Sequence, residues 1–137
     1  MPATLSSASL DASRDPGTTV YMTMRRSVPG AAVIVNVASG VGWPRYLQDP
    51  EHDEFPVQAV PYAASKAAVI ALTVQYAKNL PGMRVNASDP GYTATDFNRH
   101  SGHQTVTEGT DATVALATLD QDGPTGEFHS RDGRIAY

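Results

Sequence analysis

Eight residues, Ala31-Ala32-Val33-Ile34-Val35-Asn36-Val37-Ala38, constrain this chain more than any other stretch. The run is short, β-branched and apolar without alternation, with Pro29-Gly30 before it and Ser39-Gly40 after it. Its length and branching argue for a strand, and the lack of alternation argues for a strand buried on both faces. Such strands belong to parallel sheets covered by helices, an α/β architecture. Ser39-Gly40-Val41-Gly42 leaves the C-terminal end of the strand as a loop. Ligands of open α/β sheets bind beyond that end.

The elements that follow extend the same plan. A helix is expected from Pro61 to about Asn79, closed by Pro81-Gly82. Val69, Leu72, Tyr76 and Leu80 form a large apolar stripe on it, and Ala64, Ala67, Ala68 and Ala71 a stripe of small residues. Two buried stripes predict packing on two sides. Met83–Ser88 reads as a second strand, so strand, helix and strand make a βαβ unit, which should cross over right-handed. A third element, a helix opened by Thr107, Glu108 and Asp111, should run to about Leu119. Gly126–Ser130 and Arg134–Tyr137 read as a terminal hairpin around Asp132-Gly133.

Other stretches read as connections. Residues 43–59 hold three prolines and the aromatic residues Trp43, Tyr46 and Phe55, the pattern of an excursion loop. Its aromatic side chains could cover a pocket or simply pack beneath the loop. Its acidic residues Asp49, Glu51, Asp53 and Glu54 are expected on a solvated face. Residues 1–23 form a polar, disordered or loosely attached lead-in, and 24–137 the folded part. Val20–Ser27 is expected as the end of a helix, because Arg25-Arg26 suits a helix C-terminus and Pro29-Gly30 would stop it.

Composition excludes several classes. A net charge of −4 and a single basic doublet, Arg25-Arg26, argue against a nucleic-acid binder. The chain contains no cysteine, so it has no disulfides and no thiolate metal sites. No apolar run approaches the ~20 residues of a membrane helix. With no signal-like N-terminus, the expected location is cytoplasmic. His100 and His103 stand at a spacing that a metal could use, but glycine lies between them in a polar stretch, and solvent exposure is expected. Asp89 and Asp96 flank Pro90-Gly91 and are expected as turn and cap residues.

Chemistry concentrates at Val60-Pro61-Tyr62-Ala63-Ala64-Ser65-Lys66. Four residues apart on a helix, the Tyr62 phenol and the Lys66 ammonium share a face. An unperturbed tyrosine titrates near pH ~10. A neighbouring positive charge lowers that value and would let the phenol act as a general acid or base.

Four segments, in order, carry a resemblance to the short-chain dehydrogenase/reductase family. They are Ile34-Val35-Asn36-Val37-Ala38-Ser39-Gly40, Tyr62-Ala63-Ala64-Ser65-Lys66, Arg84-Val85-Asn86-Ala87, and Pro90-Gly91-Tyr92-Thr93-Ala94-Thr95-Asp96. The long gap from Ser39 to Tyr62, the closing Pro124-Thr125-Gly126-Glu127-Phe128 and the final Tyr137 are similar to the carbonyl-reductase-like branch. The resemblance covers about residues 24–137 and implies the C-terminal, catalytic half of a Rossmann-like sheet that lacks the N-terminal strands. It implies an NAD(P)H-dependent oxidoreductase that reduces a carbonyl or oxidises an alcohol. Tyr62 would pass the proton, Lys66 would lower the phenol's pKa and hold the nicotinamide ribose, and Ser39 would hydrogen-bond the carbonyl oxygen. Pro90, Gly91, Thr93 and Thr95 would line the nicotinamide, with Tyr62 and Lys66 beside it.

The nucleotide half of that pattern is missing. A Rossmann phosphate site needs a Gly-rich turn after a first strand. The only glycines before Ser39 are Gly17 and Gly30. The alternative expectation is therefore a truncated, non-catalytic fragment or interaction module. A strand at 33–38 without its family neighbour would have an open edge. A second copy could pair with that edge or pack on the 62–79 helix.

Overall fold

The computed structural model describes the backbone of Ser6–Leu10, Val20–Val28 and residues 31–137, with side chains from residue 32 onward. The strands form one six-stranded sheet in the order β1-β2-β3-β4-β5-β6, where β1 is Ser6–Leu10, β2 Val20–Val28, β3 Ala31–Val37, β4 Met83–Ser88, β5 Phe128–Ser130 and β6 Gly133–Ile135. Its centre is parallel. β3 pairs with β4 from Ala32↔Met83 to Val37↔Ser88, and β4 pairs with β5 at Ala87↔Phe128 and Ser88↔His129. The flanking pairs, β1 with β2, β2 with β3 and β5 with β6, are antiparallel.

Among the described residues the α-helices are α1 (Pro44–Gln48), α2 (Val60–Asn79) and α3 (Val106–Ala117). Alternation along β3 sends its side chains to the two faces in turn. Val33 and Val35 pack with Leu116 of α3. Asn36 and Ala38 face α2, where Val69 and Ile70 join Ala38, Ala87, Phe128 and Ile135 in a second cluster. Both faces of the central strand are thus covered, which is why its sequence does not alternate. The polar intruder Asn36 is satisfied: its Nδ2 donates to Thr73 Oγ1 at 2.9 Å inside the core.

Three expectations change. Val20–Val28 is not a helix end but a nine-residue strand. Val20, Tyr21, Thr23 and Val28 favour extended backbone, and pairing with β3 outweighs the helical suggestion of the arginine doublet. For the same reason the edge of the 33–38 strand is not open, because β2 runs along it from Met22↔Asn36 to Val28↔Ala31. Surface for a second copy is therefore not offered there. β1 lies inside the stretch expected as a lead-in, while residues 1–5 and 11–19 of that stretch lie outside the described residues.

The phase of α2 also differs. Its buried positions are Lys66, Val69, Ile70 and Thr73, whereas Leu72 and Tyr76 of the expected large stripe are about half exposed. Ala64, Ala68 and Ala71 are exposed as well. A lysine and a threonine hold the inward line because each has a buried partner, Lys66 at the Val37 carbonyl and Thr73 at Asn36.

α3 begins one residue before the expected Thr107, and Thr105 caps it. Glu108 N donates to Thr105 Oγ1 at 3.2 Å, and Thr105 N donates to Glu108 Oε2 at 2.8 Å. Arg131 reaches Glu108 at 2.7 Å and Asp111 at 3.1 Å, tying α3 to the terminal hairpin. These donors hold the Glu108 carboxyl down at about 2, from the usual 4.5. A carboxyl depressed on folding adds stability above its unfolded value and loses it as pH falls through the folded one. Acid unfolding should therefore show a component between pH 4.5 and about 2 that is absent from Glu108→Gln, measured by denaturation at stepped pH.

Candidate active site

The C-terminal ends of β3 and β4 lie side by side, and the chain leaves each through a loop. Beyond β3, Ser39 caps a single 3-10 turn at Gly40–Gly42, its Oγ accepting from Val41 N at 3.3 Å. The turn packs against α2 at glycine distance. A Cβ on buried Gly42 would lie 2.5 Å from the Lys66 carbonyl carbon and 2.6 Å from Ala67 N. Gly42→Ala should thus cost about 1–3 kcal/mol by overpacking and push the Ser39 turn away from α2. Chemical denaturation measures the loss.

Tyr62 sits in the first turn of α2 behind Pro61, where the ring presets helical φ. Lys66 follows one turn later. Its side chain is 7% exposed and its Nζ donates to Val37 O at 3.1 Å, at the end of β3. The same Nζ is 5.6 Å from the Tyr62 ring centroid. Ser39 Oγ has its hydrogen bond with Val41 N. Lys66, at the end of β3 through its bond to Val37 O, brings the Tyr62 ring to the strand end that Ser39 follows.

The electrostatics differ from the simple expectation that Lys66 lowers the phenol. Burial pushes the Tyr62 phenol up, the Ser39 hydroxyl opposes that shift, and the Asp89 carboxylate adds to it. Burial pushes Lys66 down, with Asp89 opposing. The ammonium is committed to the Val37 carbonyl, and desolvation dominates at the phenol. A phenol raised in this way is protonated throughout the neutral range.

Beyond β4, Gly91 takes φ +68° and its N–H donates to Asp89 Oδ1 at 3.0 Å, forming the expected turn. Pro90 and Gly91 follow the buried Asp89, and Gly91 lines a cleft with Asp89 and Tyr92. Thr93 and Thr95 turn to local partners instead. Thr93 Oγ1 donates to Pro90 O at 3.0 Å, and Thr95 N donates to Asn98 Oδ1 at 3.2 Å. The Phe97 ring centroid is 6.0 Å from that of Tyr62. His100 and His103 are exposed and face Asp96 and Asp53 respectively.

Two carboxylates of the site were not singled out from sequence. Asp89 is 5% exposed. Glu54 leaves the solvated face expected for it and turns inward, with its side chain 16% exposed. Burial raises its pKa, and so does the nearby Asp89. Both carboxylates meet at Gly40, where a Cβ would collide with Glu54 Oε1 and lie 2.9 Å from Asp89 Oδ2. The only sequence sign was the glycine, a residue suited to close approach. A cleft of about 270 Å³, lined by Tyr46, Glu54, Asp89, Gly91, Tyr92 and Arg131 among others, opens on the Asp89 and Glu54 side, and Ser39, Tyr62 and Lys66 do not line it. Tyr46 stacks on His52 at 3.7 Å and walls the cleft, while Trp43 packs edge-on to Tyr137 at 5.5 Å. The excursion's aromatic residues thus do both things expected of them.

A nicotinamide nucleotide can be tested against these groups. The donor set at this end suits one in part: a buried ammonium stands beside a phenol, while the Gln104 side chain lies over the Gly91 backbone. Lys66, Tyr62, Pro90 and Gly91 would hold that end. The diphosphate has no such counterpart, since no Gly-rich turn precedes Ser39 in the sequence.

Comparison with known proteins agrees with the geometry. The chain is 39% identical over 90 residues to the (+)-neomenthol dehydrogenase of Capsicum annuum, covering 66% of this chain and 25% of that enzyme. It is 40% identical over 86 residues to the (−)-isopiperitenone reductase of Mentha piperita, covering 63% and 27%. It thus spans about a quarter of the length of these curated relatives. Among solved structures, NADPH-bound carbonyl reductase from chicken fatty liver superposes with a TM-score of 0.62 at 25% identity, over 76% of this chain and 42% of that one. Salutaridine reductase from Papaver somniferum gives 0.58 at 26% identity, over 70% and 44%. The short chain dehydrogenase model matches residues 18–105, from β2's approach through the Tyr62–Lys66 helix to the loop beyond Pro90-Gly91. On that match the chain belongs to the short-chain dehydrogenase family.

Proposed function

We propose that this chain carries the reacting end of an NAD(P)H-dependent oxidoreductase that reduces a small carbonyl compound or oxidises the corresponding alcohol. The observation that carries the reading is the meeting of the Tyr62 phenol, the Ser39 hydroxyl and the Lys66 ammonium beyond the ends of parallel strands. The nicotinamide, when bound, supplies the hydride. The chain's own residues supply the rest. Tyr62, kept protonated by burial, gives its proton to the carbonyl oxygen as negative charge develops there. Ser39 donates a hydrogen bond to the same oxygen. Lys66 holds ribose hydroxyls and balances the phenolate left behind. The names of the relatives, a neomenthol dehydrogenase, an isopiperitenone reductase and a carbonyl reductase, support a small carbonyl or alcohol as substrate. A cytoplasmic setting belongs to the same proposal. Among the described residues, no helix is long and apolar enough to cross a membrane.

The test is consumption of NADPH and NADH by the purified 137-residue chain with a panel of cyclic and open-chain ketones. Turnover with any of them supports the reading, and none with all of them contradicts unaided catalysis. One observation favours a second reading, an interaction module: the outer face of α2 leaves Leu72 and Tyr76 about half exposed. Sedimentation over a concentration series tests it, and a fixed monomer mass contradicts self-association there.

A further inference from the structure

We infer that Asp89 is a positioning residue, a carboxylate that fastens the Ser39 turn to the Pro90-Gly91 turn across the ends of two neighbouring strands. The inference rests on reading Ser39, Tyr62 and Lys66 as the reacting groups. The β3–β4 ladder ends with Ala38 N donating to Ser88 O at 2.7 Å. Past that bond the two loops diverge, and one has to be held against the other by something else. Asp89 is the next residue. Its own N–H donates to His129 O at 2.7 Å, which anchors it to β5. Its Oδ1 accepts from Gly91 N at 3.0 Å, and its Oδ2 lies against Gly40, 2.9 Å from where a Cβ on that residue would stand, with the Gly40 N–H opposing the rise that burial gives its pKa.

The chemistry of the residue suits this role. An ionised carboxylate is an acceptor only, and here one oxygen is bonded to the Gly91 N–H while the other lies against Gly40. Hydrogen bonds to a charged acceptor are the stronger kind. Gly40 is bonded to Ser39 in the chain, so holding its N–H fixes the hydroxyl that would meet the substrate. An ordinary turn aspartate would need Gly91 alone. It would not need to be 5% exposed, nor to reach across to the neighbouring strand's loop.

The charge acts on the same groups. Lys66 and Tyr62 from α2, Glu54 from the excursion and Tyr46 from α1 are the titratable side chains that feel Asp89. At Lys66 the carboxylate supports the ammonium against burial. At Tyr62 it disfavours the phenolate and so keeps the phenol a proton donor. Asp89 therefore biases the site toward donating a proton, the direction that carbonyl reduction needs.

The experiment uses the full chain without cofactor. In the wild type, the amide proton shifts of Gly40 and Gly91 should move together with pH, sharing one midpoint above the ordinary carboxylate range. In Asp89→Asn, the far-UV spectrum and Gly91 protection should persist. Exchange at Gly40 should speed up about 10–100-fold, the loss of one hydrogen bond to a charged group. The midpoint of the tyrosinate absorbance that is missing from Tyr62→Phe should fall. Gly40 and Gly91 shifts that titrate separately, or a Tyr62 midpoint unchanged by Asp89→Asn, would overturn the inference. The wild-type titration decides its first half even if the variant does not fold. No readout involves turnover or nucleotide, so a failure of the proposed activity is seen separately.

Discussion

Tyr62→Phe should lower carbonyl reduction by about 10²–10⁴-fold, the range that a positioned general acid contributes. The stability of the chain should hardly change, because the ring keeps its place beside Phe97 and Lys66 when only the oxygen is removed. The pH profile is part of the prediction. Burial and Asp89 both raise the phenol, so it remains an acid across neutral pH. Reduction by the wild type should therefore stay flat through the neutral range. Alcohol oxidation, which needs the phenolate, should climb as the pH rises toward the phenol's raised value. A Tyr62→Phe chain that retains wild-type turnover would remove the phenol from the mechanism. Steady-state rates in both directions against pH measure all of this.

The largest stability effect is expected in the layer between α2 and the sheet. Phe128→Ala should cost about 3–5 kcal/mol, the usual loss for truncating a fully buried phenylalanine. Phe128 is 0% exposed and sits among Ala38, Val69, Ile70, Ala87 and Ile135. Alanine would leave a cavity between α2 and the sheet. β5 is three residues long and pairs with β4 at only two positions, Ala87↔Phe128 and Ser88↔His129. Its buried side chain adds to a short ladder of backbone bonds in holding it in place. Small domains have stabilities of only about 5–15 kcal/mol, so the variant should be partly unfolded near room temperature or close to it. Urea denaturation reads the change. Because His129 O anchors Asp89, loosening β5 should also reach the site. A loss under about 1 kcal/mol would mean that Phe128 is not the plug between these layers.

The central elements were legible because their sequences carry their surroundings. The unalternating run from Ala31 to Ala38 is the trace of two covered faces, and the structure supplies α3 on one and α2 on the other. Met83–Ser88 and the helix through Asn79 were legible for similar reasons, with Pro81-Gly82 between them. The phase of α2 was not. Apolar spacing selected Leu72 and Tyr76, whereas the sheet side is held by Lys66 and Thr73, whose burial depends on partners in β3. Val20–Val28 was misread because its local signals conflict. Tertiary pairing with β3 settles a segment that propensity leaves balanced.

The candidate site divides in the same way. Ser39 and the Pro90-Gly91 turn follow the ends of β3 and β4, and Tyr62 and Lys66 lie in the first two turns of α2, positions that element order along the chain was enough to read. Thr93 and Thr95 lie further along the loop, and their local hydrogen bonds are not written in their spacing. Asp89 and Glu54 were invisible as site residues. Their burial arises where the excursion loop folds back over the end of β4, a contact between segments that carry no common pattern.

Calorimetric titration of the purified 137-residue chain with NADPH and NADH, alongside Lys66→Ala, tests the central claim most directly. The account predicts saturable binding by the wild type. Lys66→Ala should weaken it about tenfold or more, as expected for the loss of hydrogen bonds from a charged donor. No heat of binding up to millimolar nucleotide, or equal affinity in the two chains, would contradict a nicotinamide site built on Lys66.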